Sequence, residues 1–174
     1  MCIRDSKLTN EEGKHTITVA LGGALTVIDT SKGLKGTVDN VSHARSAVYN
    51  NGTVVLKGGS YLRSAENGKS EENSGGNSYY NILNHGVMTI DAPVKVSQSG
   101  GYSSMLVNGY YNYNGEANKE KNPHSNYIEG TNQPEPTLTI NGGTFDGGLN
   151  TIKNDDGGVV TINGGTFKNI KDRG

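Results

Sequence analysis

Six acidic residues stand in turn-like contexts where carboxylate chemistry is conceivable: Asp29, Asp39, Asp91, Asp146, Asp155 and Asp156. A polysaccharide lyase needs calcium-binding carboxylates beside an Arg or Lys base, and a glycosidase needs two or three clustered carboxylates. Here each acid lies in a different segment. Only Asp155 and Asp156 adjoin, in the turn Asp155-Asp156-Gly157-Gly158, whose plain reading is solvation. The histidines His15, His43, His85 and His124 are far apart, with no pair at metal-ligand spacing, and no nucleophile has a recognisable partner. His85 takes a turn position held elsewhere by Asn51, so a surface turn is its expected address. The only cysteine is Cys2. The expectation is no catalytic residue, no metal and no cofactor.

Tyrosine is the other chemistry-bearing type. Tyr79, Tyr80, Tyr102, Tyr110, Tyr111, Tyr113 and Tyr127 make seven of the nine tyrosines, in or beside two irregular stretches near 63–78 and 109–135. Exposed Tyr faces suit the apolar faces of sugar rings, and the phenol hydroxyl can bond to sugar hydroxyls. Tyr102, Tyr110, Tyr111, Tyr113 and Tyr127 are therefore the candidate ligand contacts. The competing reading is that these rings cover the scaffold and pin the loops down, because aromatic area usually seeks burial.

The elements that would position such loops are visible as a repeat. Thr139-Ile140-Asn141-Gly142-Gly143-Thr144-Phe145 recurs unchanged as Thr161-Ile162-Asn163-Gly164-Gly165-Thr166-Phe167, an offset of 22 residues. Weaker copies are Val54-Val55-Leu56-Lys57-Gly58-Gly59-Ser60-Tyr61, Met88-Thr89-Ile90-Asp91-Ala92-Pro93-Val94 and the worn Leu25-Thr26-Val27. A second marker places a branched apolar residue two before an Asn, with Gly soon after, at Asn50, Asn84, Asn108 and Asn154. Apolar residues alternate with Thr in the strands, a period of two with one face inward. Each unit thus reads as strand, Asn/Gly turn, strand, Gly-Gly turn.

Strands this short cannot bury enough surface alone, whereas stacked coils share one interior column. Parallel in-register stacking sets like on like about 4.8 Å apart, so a residue that fits once fits again. Asn at a repeated turn can pass amide hydrogen bonds from coil to coil. The corners Gly58-Gly59, Gly142-Gly143 and Gly164-Gly165 supply a bend that a Cβ resists. The expected fold is all-β: a right-handed parallel β-helix of about five coils with inserted loops, its hand taken from the crossover rule for parallel strands. It predicts Asn50, Asn84, Asn108 and Asn154 in one column, Val54, Met88, Leu138 and Val160 inward, and Phe145 beside Phe167. The Ala92-Pro93 corner lacks both Gly-Gly and a following aromatic, so a local change is expected there.

The Ile-x-Gly-Gly-Thr-Phe units resemble those of pectin-lyase-like right-handed β-helix proteins, particularly long adhesin-like surface proteins of gut-dwelling bacteria. The resemblance runs discontinuously from about Val41 onward. It implies an extracellular or cell-surface module, a stalk whose loops contact surface glycans or host or microbial proteins. The same fold also carries polysaccharide lyases and glycoside hydrolases, which is the alternative.

Composition agrees with an elongated repeat: 32% of residues are hydrophobic, 26 of 174 are glycine and Trp is absent. Sixteen basic and seventeen acidic residues are scattered, giving no stripe for nucleic acid and no sign of membrane insertion. Met1-Cys2-Ile3-Arg4-Asp5 resembles the in-frame translation of a sequencing-library adaptor. Residues 1–6 are therefore set apart from a single β-helix domain at 7–174, expected to be cut at both ends.

Overall fold

The computed structural model describes residues 1–2, 5–33, 35–66, 80–98, 103–110, 135–155 and 157–169. After β1 (Lys7–Leu8), strands come in triplets. The first is β2 (Ile17–Val19), β3 (Ala24–Val27) and β4 (Thr37–Asp39), and the second β5 (Val48–Asn50), β6 (Thr53–Leu56) and β7 (Gly59–Leu62). Then follow β8 (Ile82–Asn84), β9 (Val87–Ile90) and β10 (Val94–Gln98); β11 (Leu106–Asn108), β12 (Thr137–Ile140) and β13 (Thr144–Gly147); and β14 (Ile152–Asn154), β15 (Val159–Ile162) and β16 (Thr166–Lys168).

Each triplet is one coil, because its members join three different sheets. Sheet 1 runs β2-β5-β8-β11-β14, sheet 2 runs β3-β6-β9-β12-β15, and sheet 3 runs β1-β4-β7-β10-β13-β16. All pairings between neighbouring strands are parallel and in register. The molecule is a parallel β-helix, with five coils among the described residues.

Inward residues form continuous columns. In sheet 2 they are Leu25, Val54, Met88, Leu138 and Val160, and beside them Val27, Leu56, Ile90, Ile140 and Ile162. The worn copy at Val27 keeps the same register as the perfect one. Sheet 1 contributes Ile17, Val48, Ile82, Leu106 and Ile152, and sheet 3 contributes Val38, Tyr61, Val96, Phe145 and Phe167. Members in the middle coils are fully buried, each worth about 1.5–3 kcal/mol of transfer free energy. In the last coil Ile162 is 51% and Phe167 38% exposed, there being no described strand beyond them.

The corner between sheets 2 and 3 needs glycine chiefly at its second position. Gly143 has φ +118 and Gly165 φ +126, a region that a side chain resists. Gly142 serves instead by fit, since a Cβ there would lie 2.8 Å from the Ala92 Cβ. The Ala92-Pro93 corner does differ. Three residues, Asp91 to Pro93, join Ile90 to Val94, where two, Lys57 and Gly58, join Leu56 to Gly59, and the Ala92–Pro93 peptide is cis. The extra residue is absorbed there, so β10 still pairs in register on both sides.

A polar feature closes each of the first three coils. Just beyond the inward column of sheet 3, Asn40, Arg63 and Gln98 are all buried. Asn40 Nδ2 donates to the Ser46 carbonyl at 3.0 Å, Arg63 Nε to the Arg45 carbonyl at 2.8 Å and Gln98 Nε2 to Ser103 Oγ at 2.9 Å. These bonds tie the end of sheet 3 to the chain entering sheet 1. Arg63 therefore belongs to the coil rather than to the inserted stretch expected from residue 63. At the other end, the residues set apart as adaptor-like touch the coil: the Ile28 N–H donates to the Met1 carbonyl at 2.9 Å, and Cys2 bridges Ile28 in parallel.

Candidate functional site

Two long interruptions break the coil, and both border the same sheet. The stretch 67–79 lies between β7 and β8, where the chain passes from sheet 3 to sheet 1. The stretch 111–134 lies between β11 and β12, where it passes from sheet 1 to sheet 2. Both insertions thus enter the sequence at corners of sheet 1, while the corners between sheets 2 and 3 stay short from the second coil on. Chain inserted at the corners of a rigid scaffold is where recognition tends to reside.

The outward column of sheet 1 is Thr18, Tyr49, Leu83, Val107 and Lys153. Outward residues normally face water, yet Leu83 is 5% and Val107 1% exposed. With Tyr80 they form a second apolar cluster outside the coil, against which Tyr49 packs. A line of ring contacts runs along the same sheet. His15 lies 4.7 Å from Tyr49, Tyr49 is edge-on to His85 at 5.5 Å, and His85 is 4.6 Å from Tyr110. Tyr110 is buried, and its hydroxyl donates to the His85 carbonyl at 2.9 Å. His15 Nδ1 accepts the Ser46 N–H at 2.9 Å, which fixes that nitrogen unprotonated.

This arrangement corrects one expectation. His85 is 1% exposed, not at the surface of a turn, and Tyr110 from the following coil packs against its ring. Tyr110 is the sole candidate ligand contact among the described residues, and it is buried. Tyr102, Tyr111, Tyr113 and Tyr127 lie outside the described residues.

The repeat residues sit as follows. Asn50, Asn84, Asn108 and Asn154 pair successively in register. Their amides form an inner ladder: Asn50 Nδ2 donates to Asn84 Oδ1 at 2.7 Å, Asn84 Nδ2 to Asn108 Oδ1 at 2.7 Å and Asn108 Nδ2 to Asn154 Oδ1 at 2.8 Å. An outer ladder runs the other way at the Gly-Gly corner. Asn163 Nδ2 donates to Asn141 Oδ1 at 2.8 Å, and Asn141 Nδ2 to Asp91 Oδ1 at 2.8 Å. The Asp91 carboxylate has no hydrogen to give, so the outer ladder must end on it.

The acids are dispersed and individually engaged. Asp29 accepts the backbone N–H groups of Ser31 at 2.8 Å and Gly36 at 3.0 Å. Burial pushes this carboxyl up, and hydrogen bonds from Ser31 and Gly36 outweigh it, so its pKa is lowered below 3.8. Tyr61 inside the coil is shifted upward by burial and then by the nearby Asp29 charge. Asp39 meets Lys7 Nζ at 3.0 Å and takes the Ser64 hydroxyl at 2.8 Å. Asp155 pairs with Lys153 at 2.8 Å and Asp146 with Lys168 at 3.8 Å; Asp156 lies outside the described residues. Among the described residues, no three His, Cys, Asp or Glu side chains gather as a metal site. The chain matches no protein-family model, no curated protein and no solved structure.

Proposed function

We propose that this chain is a non-catalytic, extracellular adhesin-like module: a β-helical stalk that carries recognition loops for surface glycans or proteins at the corners of sheet 1. The observation that carries this reading is the placement of both long insertions at corners of one sheet. The stalk beneath them is rigid by construction, being parallel, in register and packed to full burial in its middle coils. The second apolar cluster of Tyr80, Leu83 and Val107 supports it, because it anchors the points where the inserted chain returns to and leaves the coil.

The test is binding of the purified chain to arrayed glycans and to bacterial and epithelial cell surfaces. A variant in which residues 111–134 are replaced by a short Asn-Gly turn is measured in parallel. Binding that disappears with the insertion, while the melting curve of the coil persists, supports the reading. Depolymerisation of a polysaccharide by the intact chain would overturn it in favour of a lyase or glycoside hydrolase.

A further inference from the structure

The chain repeats Asn-Gly, the peptide most open to self-modification, at positions where the coil treats it in different ways. Four such pairs lie among the described residues: Asn51-Gly52, Asn108-Gly109, Asn141-Gly142 and Asn163-Gly164. Loss of the side-chain amide begins when the backbone nitrogen of the following residue attacks the Asn Cγ. That nitrogen must first give up its proton, so a hydrogen bond that holds the N–H elsewhere suppresses the reaction.

Two of the pairs are held. The Gly52 N–H donates to Asn50 Oδ1 at 2.9 Å and the Gly109 N–H to the Asn84 carbonyl at 3.0 Å. Asn108 is in addition fully buried, with its amide bonded on both sides in the inner ladder. The other two differ. Among the described residues, neither the Gly142 nor the Gly164 N–H makes a hydrogen bond. Asn141 keeps both amide atoms engaged, donating to Asp91 and accepting from Asn163. Asn163 only donates, to Asn141, and its side chain is exposed.

We propose that Asn163 is a self-modification site, where the side-chain amide is lost to the backbone nitrogen of Gly164 through a cyclic imide. Solvent hydroxide removes the Gly164 amide proton, and the nitrogen forms a bond to Cγ. The Cγ–Nδ2 bond breaks and ammonia leaves, taking a proton from water. Water then opens the ring at Cγ, giving the aspartyl form, or at the main-chain carbonyl, giving the isoaspartyl form. Either product lacks the N–H that Asn163 gives to Asn141. The iso form also adds a main-chain carbon to the three-residue corner joining β15 to β16, which displaces Phe167 from Phe145. The last described coil therefore carries a spontaneous, irreversible change that loosens it from the coil beneath.

The test is to hold the full folded chain in mildly alkaline buffer, sample it over days, and map amide-to-acid conversion and isoaspartate by peptide mass spectrometry. A parallel sample is kept in denaturant. In the folded chain Asn163 converts first and Asn141 several-fold more slowly, while Asn51 and Asn108 keep their amides. In denaturant the four rates draw together, because all four are Asn-Gly pairs and only the flanking residues differ. An Asn163→Gln variant loses the fast product and leaves the other sites as they were. Conversion of Asn51 or Asn108 as fast as Asn163 in the folded chain overturns the proposal, as does an intact Asn163 amide where the denatured sample has lost it.

Discussion

The rings of Phe145 and Phe167 lie 4.9 Å apart and within 11° of parallel. They come from successive coils and are directly paired in register. The contact is one step of a column that also holds Val96, Tyr61 and Val38, so each aromatic rests on the residue of the coil before it. Phe145→Ala should cost about 3–5 kcal/mol, as fully buried Phe truncations do. Phe167→Ala should cost clearly less, because that ring is 38% exposed. Urea unfolding of the two variants measures the difference, and equal losses would contradict the column.

The inner ladder makes a second prediction. Asn84→Ala leaves the Asn50 Nδ2 and Asn108 Oδ1 groups without their ladder partner and empties a fully buried site. Each orphaned group costs about 1–3 kcal/mol. Asn154→Ala, at the exposed end, takes a partner from one ladder amide, Asn108 Nδ2, and from the less buried Gly158 carbonyl. Thermal melts should therefore rank Asn84→Ala well below Asn154→Ala.

Glycine tolerance should follow distance to the neighbouring coil. A Cβ at Gly86 would sit 2.1 Å from the Gly52 carbonyl oxygen, which is backbone and cannot move aside. Gly86→Ala should cost at least about 1–3 kcal/mol, the range for overpacking. Gly13 has φ +73 and nothing within 4 Å, so Gly13→Ala should cost only about 1–2 kcal/mol of backbone strain. Comparable unfolding midpoints would argue against close backbone stacking at that corner.

Asp29 predicts an acid-side dependence. Its folded pKa is lowered below 3.8, so the unfolded chain binds the proton more readily. Its stabilising contribution is present above the unfolded pKa and is lost as pH falls through the folded value. Asp29→Asn should flatten the stability profile in that acid window and leave its shape near neutrality unchanged. Unfolding curves across the acid range, wild type against variant, make the comparison, and parallel profiles would remove Asp29 from the account.

Tyr110→Phe deletes one buried hydrogen bond, to the His85 carbonyl, and keeps the ring. A loss of about 0.5–1.5 kcal/mol is expected. Cell-surface or glycan binding should be unaffected, because this ring is inside the fold. A variant with native stability and impaired binding would instead make Tyr110 a ligand contact.

What was legible in the sequence is what translation by one coil preserves. Val27, Leu56, Ile90, Ile140 and Ile162 could be aligned by eye because parallel stacking demands the same apolar shape at each level. What was hidden depends on contacts between different positions of different coils. His85 aligned with an Asn and looked like a turn residue, but it is buried and its ring meets Tyr110, a coil later and 25 residues on. The row Asn40, Arg63 and Gln98 was also missed, although a signal existed: each follows its inward apolar residue, Val38, Tyr61 or Val96, by two positions. Three unlike polar residues share that row because each finds a different partner, so identity was the wrong thing to look for. The ring stack beside sheet 1 left no trace in spacing, since His15, Tyr49, His85 and Tyr110 occupy unequal positions in their coils.

The two amide ladders point in opposite directions, the inner one giving its hydrogens toward later coils and the outer one toward earlier coils until it stops at Asp91. A coil is therefore a directional brick with a donor side and an acceptor side at two separate corners. A gene that duplicates a middle brick in the same orientation lengthens the tower without leaving an amide unmatched. Whole-unit duplication is then nearly neutral where single-residue slippage is not, and the unchanged copy of Thr139–Phe145 at Thr161–Phe167 is the kind of trace such growth leaves.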